Sequence, residues 1–119
     1  METEILSTDV QVRKSGERRY GKGKIKITDK SVYLSFKKFL GKPQEFVIAR
    51  KDIAKVEFRS RGLPVEIVGP GYPIGSNQSW VTLEIILKDG SGFTIYVSEA
   101  RFIKARIEKF RKIYDALKS

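Results

Sequence analysis

Alternation of apolar and polar residues is the main pattern in the first hundred positions of the chain. Ile25 and Ile27 alternate with lysines and a threonine, and Val32, Leu34 and Phe36 follow at the same spacing. A period of two places successive side chains on opposite faces of a β-strand. The pattern therefore predicts a series of short strands that each bury one face.

Turn residues separate these segments and set their number. We expect a first strand that ends near Arg13, followed by strands over residues 24–28, 32–36, 45–49, 54–59, 80–88 and 93–97. Together the strands span about residues 10–97. Residues 61–79 contain three prolines and several glycines, which predicts a long loop between the fifth and sixth strands.

The period changes after the last strand. From about residue 99 to residue 117, apolar residues recur at steps of three and four and form one stripe of an amphipathic helix. Ser98 is placed to cap its N-terminus, with Glu99 in the first turn. The stripe consists of Phe102, Ile103, Ile107, Phe110, Ile113, Tyr114 and Leu117.

This order of elements predicts one mainly β domain over residues 1–119. An antiparallel sheet that curls into a half-open barrel leaves an open end, which a single helix can plug. We expect two packed antiparallel layers with about seven strands in all, closed by the C-terminal helix.

Charge is distributed unevenly along the chain, which has a formal net charge of +10. Residues 13–51 contain thirteen Lys and Arg against Glu17, Asp29 and Glu45, whereas the remaining residues contain eleven of each sign. Such asymmetry is typical of a surface for nucleic acid, an anionic membrane or an acidic protein. The alternative is that these lysines only keep exposed strands soluble and block pairing at sheet edges.

The composition disfavours several kinds of catalytic site. Without His or Cys, the chain lacks the usual zinc ligands, the usual near-neutral general base and the usual nucleophile pairs. The Asp and Glu residues are scattered over predicted turns and strand faces, and no motif brings two of them together. We therefore expect a binding module, not an enzyme, with no metal and no organic cofactor.

Location and source are also expectations from composition. No apolar run approaches the roughly 20 residues that span a bilayer, and the acidic start "METEILSTD" lacks the form of a signal peptide. We expect a cytoplasmic protein that is free or peripheral at the membrane. Abundant Lys, Arg and Glu with little Cys, Met, Asn and Gln are typical of a thermophilic source. The oligomeric state is not predicted.

The predicted order of strands and helix resembles the pleckstrin-homology-like (PH-like) superfamily, and within it the GRAM and bacterial PH-like domains. The residues that carry this resemblance are "GKGKIKITDKSVYLSF", "ARKDIAKVEF" and "GFTIYVSEARFIKARIEKF". The resemblance spans residues 20–117 and implies a PH-like half-open barrel. It also implies a non-catalytic adaptor that binds phosphoinositides, other anionic lipids or protein partners.

The resemblance further implies where an anion would bind. Lipid-binding members of the superfamily hold phosphate groups with basic residues at the end of the first strand and in the second. Because lysines stand where the superfamily usually has an arginine, and the helix lacks its common tryptophan, specific phosphoinositide recognition is not implied. We expect an anion-binding rim at the open end of the barrel, formed by Lys14, Arg18, Arg19, Lys22 and Lys24, with Lys37, Lys38 and Lys42 beside it.

Two other segments are candidates for contact with a partner. In "KKFLGKP", Phe39 and Leu40 lie among lysines and would suit shallow insertion at a membrane surface; alternatively, one of them continues the buried face of the preceding strand. In and just after the long loop, Tyr72, Ile74 and Trp80 would offer contacts to a protein partner, although a plain loop is the simpler interpretation.

Nucleic acid is the alternative partner. Aromatic residues interleave with lysines along "KIKITDKSVYLSFKK", within the basic strands of residues 13–51, as in a stacking platform for a single strand. No RNP, KH or helix-turn-helix pattern accompanies them. The cations of the C-terminal helix are interpreted as its solvated face.

Overall fold

The computed structural model describes residues 2–38, 40–60, 63–65, 67–68, 72–73, 81–97 and 103–118; of these, only the backbone is described between 60 and 81 and between 103 and 107. The described chain is mainly β, with one α-helix. Its elements are β1 (Glu4–Lys14), β2 (Gly21–Thr28), β3 (Ser31–Lys37), β4 (Gln44–Ala49), β5 (Ile53–Ser60), β6 (Leu63–Val65), β7 (Ile67–Val68), β8 (Tyr72–Pro73), β9 (Val81–Leu87), β10 (Gly92–Tyr96) and α1 (Ile103–Lys118).

One antiparallel sheet contains eight of these strands, in the order β4-β3-β2-β1-β10-β9-β5-β6. β1 connects its two halves, because it pairs with β2 along most of its length and with β10 at its C-terminal end, where Val12 lies opposite Ile95. The two antiparallel layers expected from the sequence are therefore two halves of one continuous sheet. The predicted number of strands is confirmed by the seven longer ones, β6 being an addition of three residues.

The sheet curls around a single apolar core. Three strands lie between Phe46 of β4 and Phe93 of β10 in the sheet order, yet the centroids of their rings are 5.1 Å apart. In a flat sheet these strands would be about 19 Å apart, because neighbouring strands are separated by about 4.8 Å. The predicted half-open barrel is thus confirmed. Its fully buried side chains include Val10, Val12, Ile25, Ile27, Val32, Leu34, Leu83, Ile85, Ile95, Phe110 and Ile113.

The strand predictions hold best where apolar and polar residues alternate strictly. β2 and β3 bury the predicted faces, while Tyr33 and Ser35 face outward. The predicted start of the first strand near residue 10 is wrong, because β1 begins at Glu4. In its first half Ile5 is on the outer face and Thr8 is on the inner face, so the alternation is weak there and pairing with β2 determines the structure. The predicted long loop contains the short strands β6, β7 and β8.

The helix α1 plugs the core with the predicted stripe. Phe110 and Ile113 are fully buried, Leu117 is buried and Tyr114 is half-buried against the core. The predicted cap at Ser98 and the predicted first turn lie outside the described residues. The described part of the helix begins at Ile103.

Arg50 ties the C-terminal end of α1 to the sheet. Its guanidinium donates hydrogen bonds to the Ala116 carbonyl at 2.6 Å, the Leu117 carbonyl at 3.1 Å and the Thr28 carbonyl at 2.8 Å. The last carbonyls of a helix have no partner within the helix, so this side chain caps them.

Candidate anion-binding site

Three connections between strands lie at the same end of the sheet. They are residues 15–20 between β1 and β2, residues 38–43 between β3 and β4, and residues 88–91 between β9 and β10. The Ser15 N–H donates to the Gly92 carbonyl at 2.8 Å, which joins the first connection to the start of β10. Lys38 forms an ion pair with Glu17, which joins the first connection to the second. Antiparallel pairing brings these ends together although they are far apart in the sequence.

Basic side chains from the first two of these connections and the adjoining strand ends lie at this end of the sheet, and we call this group the basic mouth. Glu17 is the single carboxylate within residues 14–22 and 37–42, and the third connection adds Lys88 and Asp89. Within the described part of the chain, the mouth cations other than Lys38 form no ion pair with a carboxylate. The basic mouth consists of Lys14, Arg18, Arg19, Lys22, Lys37, Lys38 and Lys42. Seven of the eight cations that the sequence suggested are thus on the connections and strand ends at this end of the sheet.

Lys14 occupies the inner side of the mouth. Its ammonium lies 5.0 Å from the centroid of the Phe46 ring. Phe46 in turn stacks on Phe36 at 5.8 Å and packs at an angle against Phe93 at 5.1 Å. Cations are attracted to the face of an aromatic ring, so the aromatic cluster holds this charge at the opening.

The Glu17 carboxylate offsets part of the positive charge of the basic mouth. This carboxylate and the Lys38 ammonium are each about a quarter exposed, at 27% and 25%. The ion pair is a direct contact between the 15–20 and 38–43 connections. The sequence alone does not predict this ion pair, because residues 17 and 38 lie on different hairpins and no local pattern connects them.

Lys22 and Lys24 lie on the outer face of β2, which alternates with the buried face of Ile25 and Ile27. Lys22 is opposite Lys37 and belongs to the mouth, whereas Lys24 is one row further along the sheet, opposite Ser35. The eighth cation is therefore adjacent to the mouth and not part of its rim.

Lys26 continues the row of lysines on the outer face of β2. Its ammonium lies 4.7 Å from the centroid of the Tyr33 ring on β3. The sequence shows aromatic residues interleaved with lysines in this segment, and the register between β2 and β3 places Lys26 opposite Tyr33.

Leu40 is at the tip of the 38–43 connection. Its side chain is 90% exposed, and its backbone is left-handed, with a φ of 63°. Left-handed backbone costs a non-glycine residue roughly 1–2 kcal/mol. The alternative in which Leu40 continues the buried face of β3 is therefore wrong, while Phe39 lies outside the described residues.

A polar cleft of about 530 Å³ lies beside the mouth, on the outer face of β1, β10 and β9. Its two arginines are already engaged: Arg13 lies 5.1 Å from the centroid of the Tyr20 ring, and Arg59 pairs with Glu57. Glu84, which also lines the cleft, accepts a hydrogen bond from Thr94 at 2.6 Å. The cleft therefore offers less uncompensated positive charge than the basic mouth.

The candidate contacts of the long loop fall mostly outside the described residues. Tyr72 is a residue of β8 whose side chain is not described, and Ile74 and Trp80 lie outside the described residues.

Within the described ranges no helix is long and apolar enough to cross a bilayer, and no cluster of three acidic residues is arranged to hold a metal ion. Comparison with family models, curated proteins and solved structures gave no significant match.

Proposed function

We propose that this chain is a non-catalytic, PH-like module that binds the anionic surface of a membrane through the basic mouth. One observation carries the proposal: an almost fully exposed leucine in a left-handed backbone conformation is at the tip of the 38–43 connection, at the end of the sheet where residues 14–22 and 37–42 hold seven cations and one carboxylate. The PH-like assignment is supported by the seven longer strands, the half-open barrel and the closing helix.

The energies of such a contact are sufficient for reversible binding. Each Lys or Arg close to an anionic bilayer contributes about 1 kcal/mol, and burying a leucine side chain contributes about 1.5–3 kcal/mol. Part of this sum is lost to ordering of the long side chains. The result is micromolar or weaker affinity that falls as salt screens the charges.

The test is sedimentation of the protein with vesicles of neutral lipid and with vesicles that also contain anionic lipid. We expect binding to the anionic vesicles alone, weakened by raising salt. Replacing Arg18, Arg19 and Lys22 with Gln should reduce the affinity at least about tenfold, since three contributions of about 1 kcal/mol are removed. Replacing Leu40 with Gly, which tolerates the left-handed backbone, should weaken binding further at high salt, where the apolar contact dominates.

The matched control replaces three exposed lysines away from the mouth, Lys30, Lys51 and Lys112, with Gln. It changes the net charge by the same amount and should retain most of the vesicle affinity. An equal loss of vesicle affinity in the two triple variants would show that net charge, not the mouth, determines binding.

Single- and double-stranded nucleic acid are titrated in parallel, because binding to their phosphates has the same salt dependence as binding to anionic lipid. Tighter binding to nucleic acid than to anionic vesicles would replace the membrane proposal.

A further inference from the structure

The strand β4 forms an unprotected edge of the sheet. It pairs with β3 along six residues without a bulge, and no other described strand pairs with its free side. Among the described residues, the hydrogen bonds outside the β3–β4 ladder do not involve the backbone of Gln44–Ala49. Proteins usually protect an edge with lysine, proline or a very short strand. The opposite edge, β6, has three residues and contains Pro64, whereas β4 contains neither lysine nor proline.

The phase of the ladder identifies the free backbone groups. The Arg50 N–H donates to the Lys30 carbonyl at 3.0 Å, so it points toward β3. In an antiparallel strand, backbone groups of successive residues point to opposite sides. The N–H and C=O groups of Phe46 and Ile48 therefore face β3, and those of Glu45, Val47 and Ala49 face the free edge.

The surroundings of this edge indicate the chemistry of its partner. Val47 is 66% exposed and lines a groove of about 300 Å³ together with Tyr33, Lys24 and Lys26. Glu45 is the single carboxylate in that groove. Exposed lysines also flank the strand, Lys42 before it and Lys51 after it. A second copy of this chain, also with a net charge of +10, would be repelled, whereas an acidic chain would be attracted.

We propose that the free edge of β4 accepts an extended acidic segment of a partner protein as an additional strand. The main chain of the segment pairs with the free groups of Glu45, Val47 and Ala49. Its inward side chains pack beside Phe46 and Ile48 and are apolar, while its outward and terminal side chains face the lysines and are acidic. This site shares Lys42 with the basic mouth but lies along β4, and the proposal does not depend on membrane binding.

The probe is a pool of blocked twelve-residue peptides in which Glu alternates with Val, Ile or Phe, measured by fluorescence anisotropy. Members of the pool should bind the wild type. Val47→Pro removes one edge N–H without touching the β3 ladder and should weaken binding about tenfold or more, the equivalent of one lost hydrogen bond. The matched control Val47→Thr keeps the N–H and the branched shape and should bind within about threefold of the wild type.

Two measurements distinguish this proposal from the others. Val47→Pro should keep the cooperative urea unfolding of the wild type, which shows that it is folded, and should also keep its vesicle binding. The Arg18, Arg19 and Lys22 triple variant should keep peptide binding. If Val47→Pro does not fold, peptides with methylated backbone nitrogens remove the complementary bonds, those that the peptide donates to the free carbonyls of the edge, and should not bind the wild-type protein. The proposal is overturned if no peptide binds the wild type, if Lys-containing peptides bind as well as Glu-containing ones, or if neither backbone change matters. A dimer of the wild type, lost in Val47→Pro without any peptide, would assign the edge to a second copy instead.

Discussion

Gly23 of β2 lies where two strands approach too closely for any side chain. A Cβ atom added there would be 1.7 Å from the Ser35 carbonyl oxygen and 2.6 Å from the Phe36 Cα. Both are backbone atoms, so the steric clash could be removed only if β3 moved away from β2. We expect Gly23→Ala to lower the free energy of unfolding by at least about 2 kcal/mol, measured by urea denaturation.

Gly16 provides the control for this substitution. Its backbone is left-handed, with a φ of 88°, and a Cβ there would meet nothing within 4 Å. Gly16→Ala should therefore cost only the conformational penalty of roughly 1–2 kcal/mol. Equal losses for the two variants would mean that β2 and β3 are further apart than described.

Glu57 of β5 makes the stability of the protein depend on pH. A hydrogen bond from Lys55, and then the pairing with Arg59, hold its pKa below the ordinary value of 4.5, against the opposing effect of burial. Because the folded-state pKa is lowered, this stabilisation is complete above pH 4.5 and is lost as the pH falls through the lower folded value. We expect Glu57→Gln to be less stable near neutral pH and to lose less stability on acidification than the wild type.

The measurement is urea denaturation at a series of pH values from neutral to below 4. Glu45→Gln serves as the control, because Glu45 is exposed and forms no ion pair among the described residues. It should show the same pH dependence as the wild type. A Glu57→Gln curve parallel to that of the wild type would contradict the assignment.

At the scale of elements, α1 should contribute to stability mainly through Phe110. This side chain is fully buried, and its ring meets those of Phe58 and Tyr96 at centroid distances of 6.3 and 6.5 Å. Removing a buried phenylalanine ring leaves a cavity, so Phe110→Ala should lower the free energy of unfolding by about 3–5 kcal/mol. The exposed neighbour Lys112→Ala should change it by no more than about 0.5 kcal/mol. A small effect of Phe110→Ala in denaturant unfolding would show that the helix is dispensable for the core.

The sequence is informative about elements whose pattern is local. Residues of β3 alternate strictly, and the α1 stripe has a clear helical period, so the type and buried face of both were predictable. β1 was less predictable, because Ile5 on its outer face and Thr8 on its inner face break the alternation, and its first half is stabilised by pairing with a strand that lies later in the chain. The strands within residues 61–79 are short and interrupted by proline and glycine, and their local signal is a loop.

At the scale of the whole molecule, the basic mouth is a product of strand pairing. The cations themselves were visible as a charge surplus, but their grouping depends on which strand ends coincide. Three connections distant in sequence form the mouth, and the contact between Glu17 and Lys38 depends on the register of two hairpins. The free edge of β4 follows from the sheet order as well, which a single sequence does not reveal.

The sharing of β1 between the two halves of the sheet has a consequence for how this chain folds. β1 is near the start of the described chain, and β10, its partner across Val12 and Ile95, is the last described strand before the helix. Contacts between residues so distant along the chain raise the contact order and slow folding. During synthesis on the ribosome, the hairpins of β1 to β4 emerge first and have only each other to pair with. The central seam of the sheet closes after β10 has left the exit tunnel, so until then the nascent chain exposes the apolar side of β1 to chaperones.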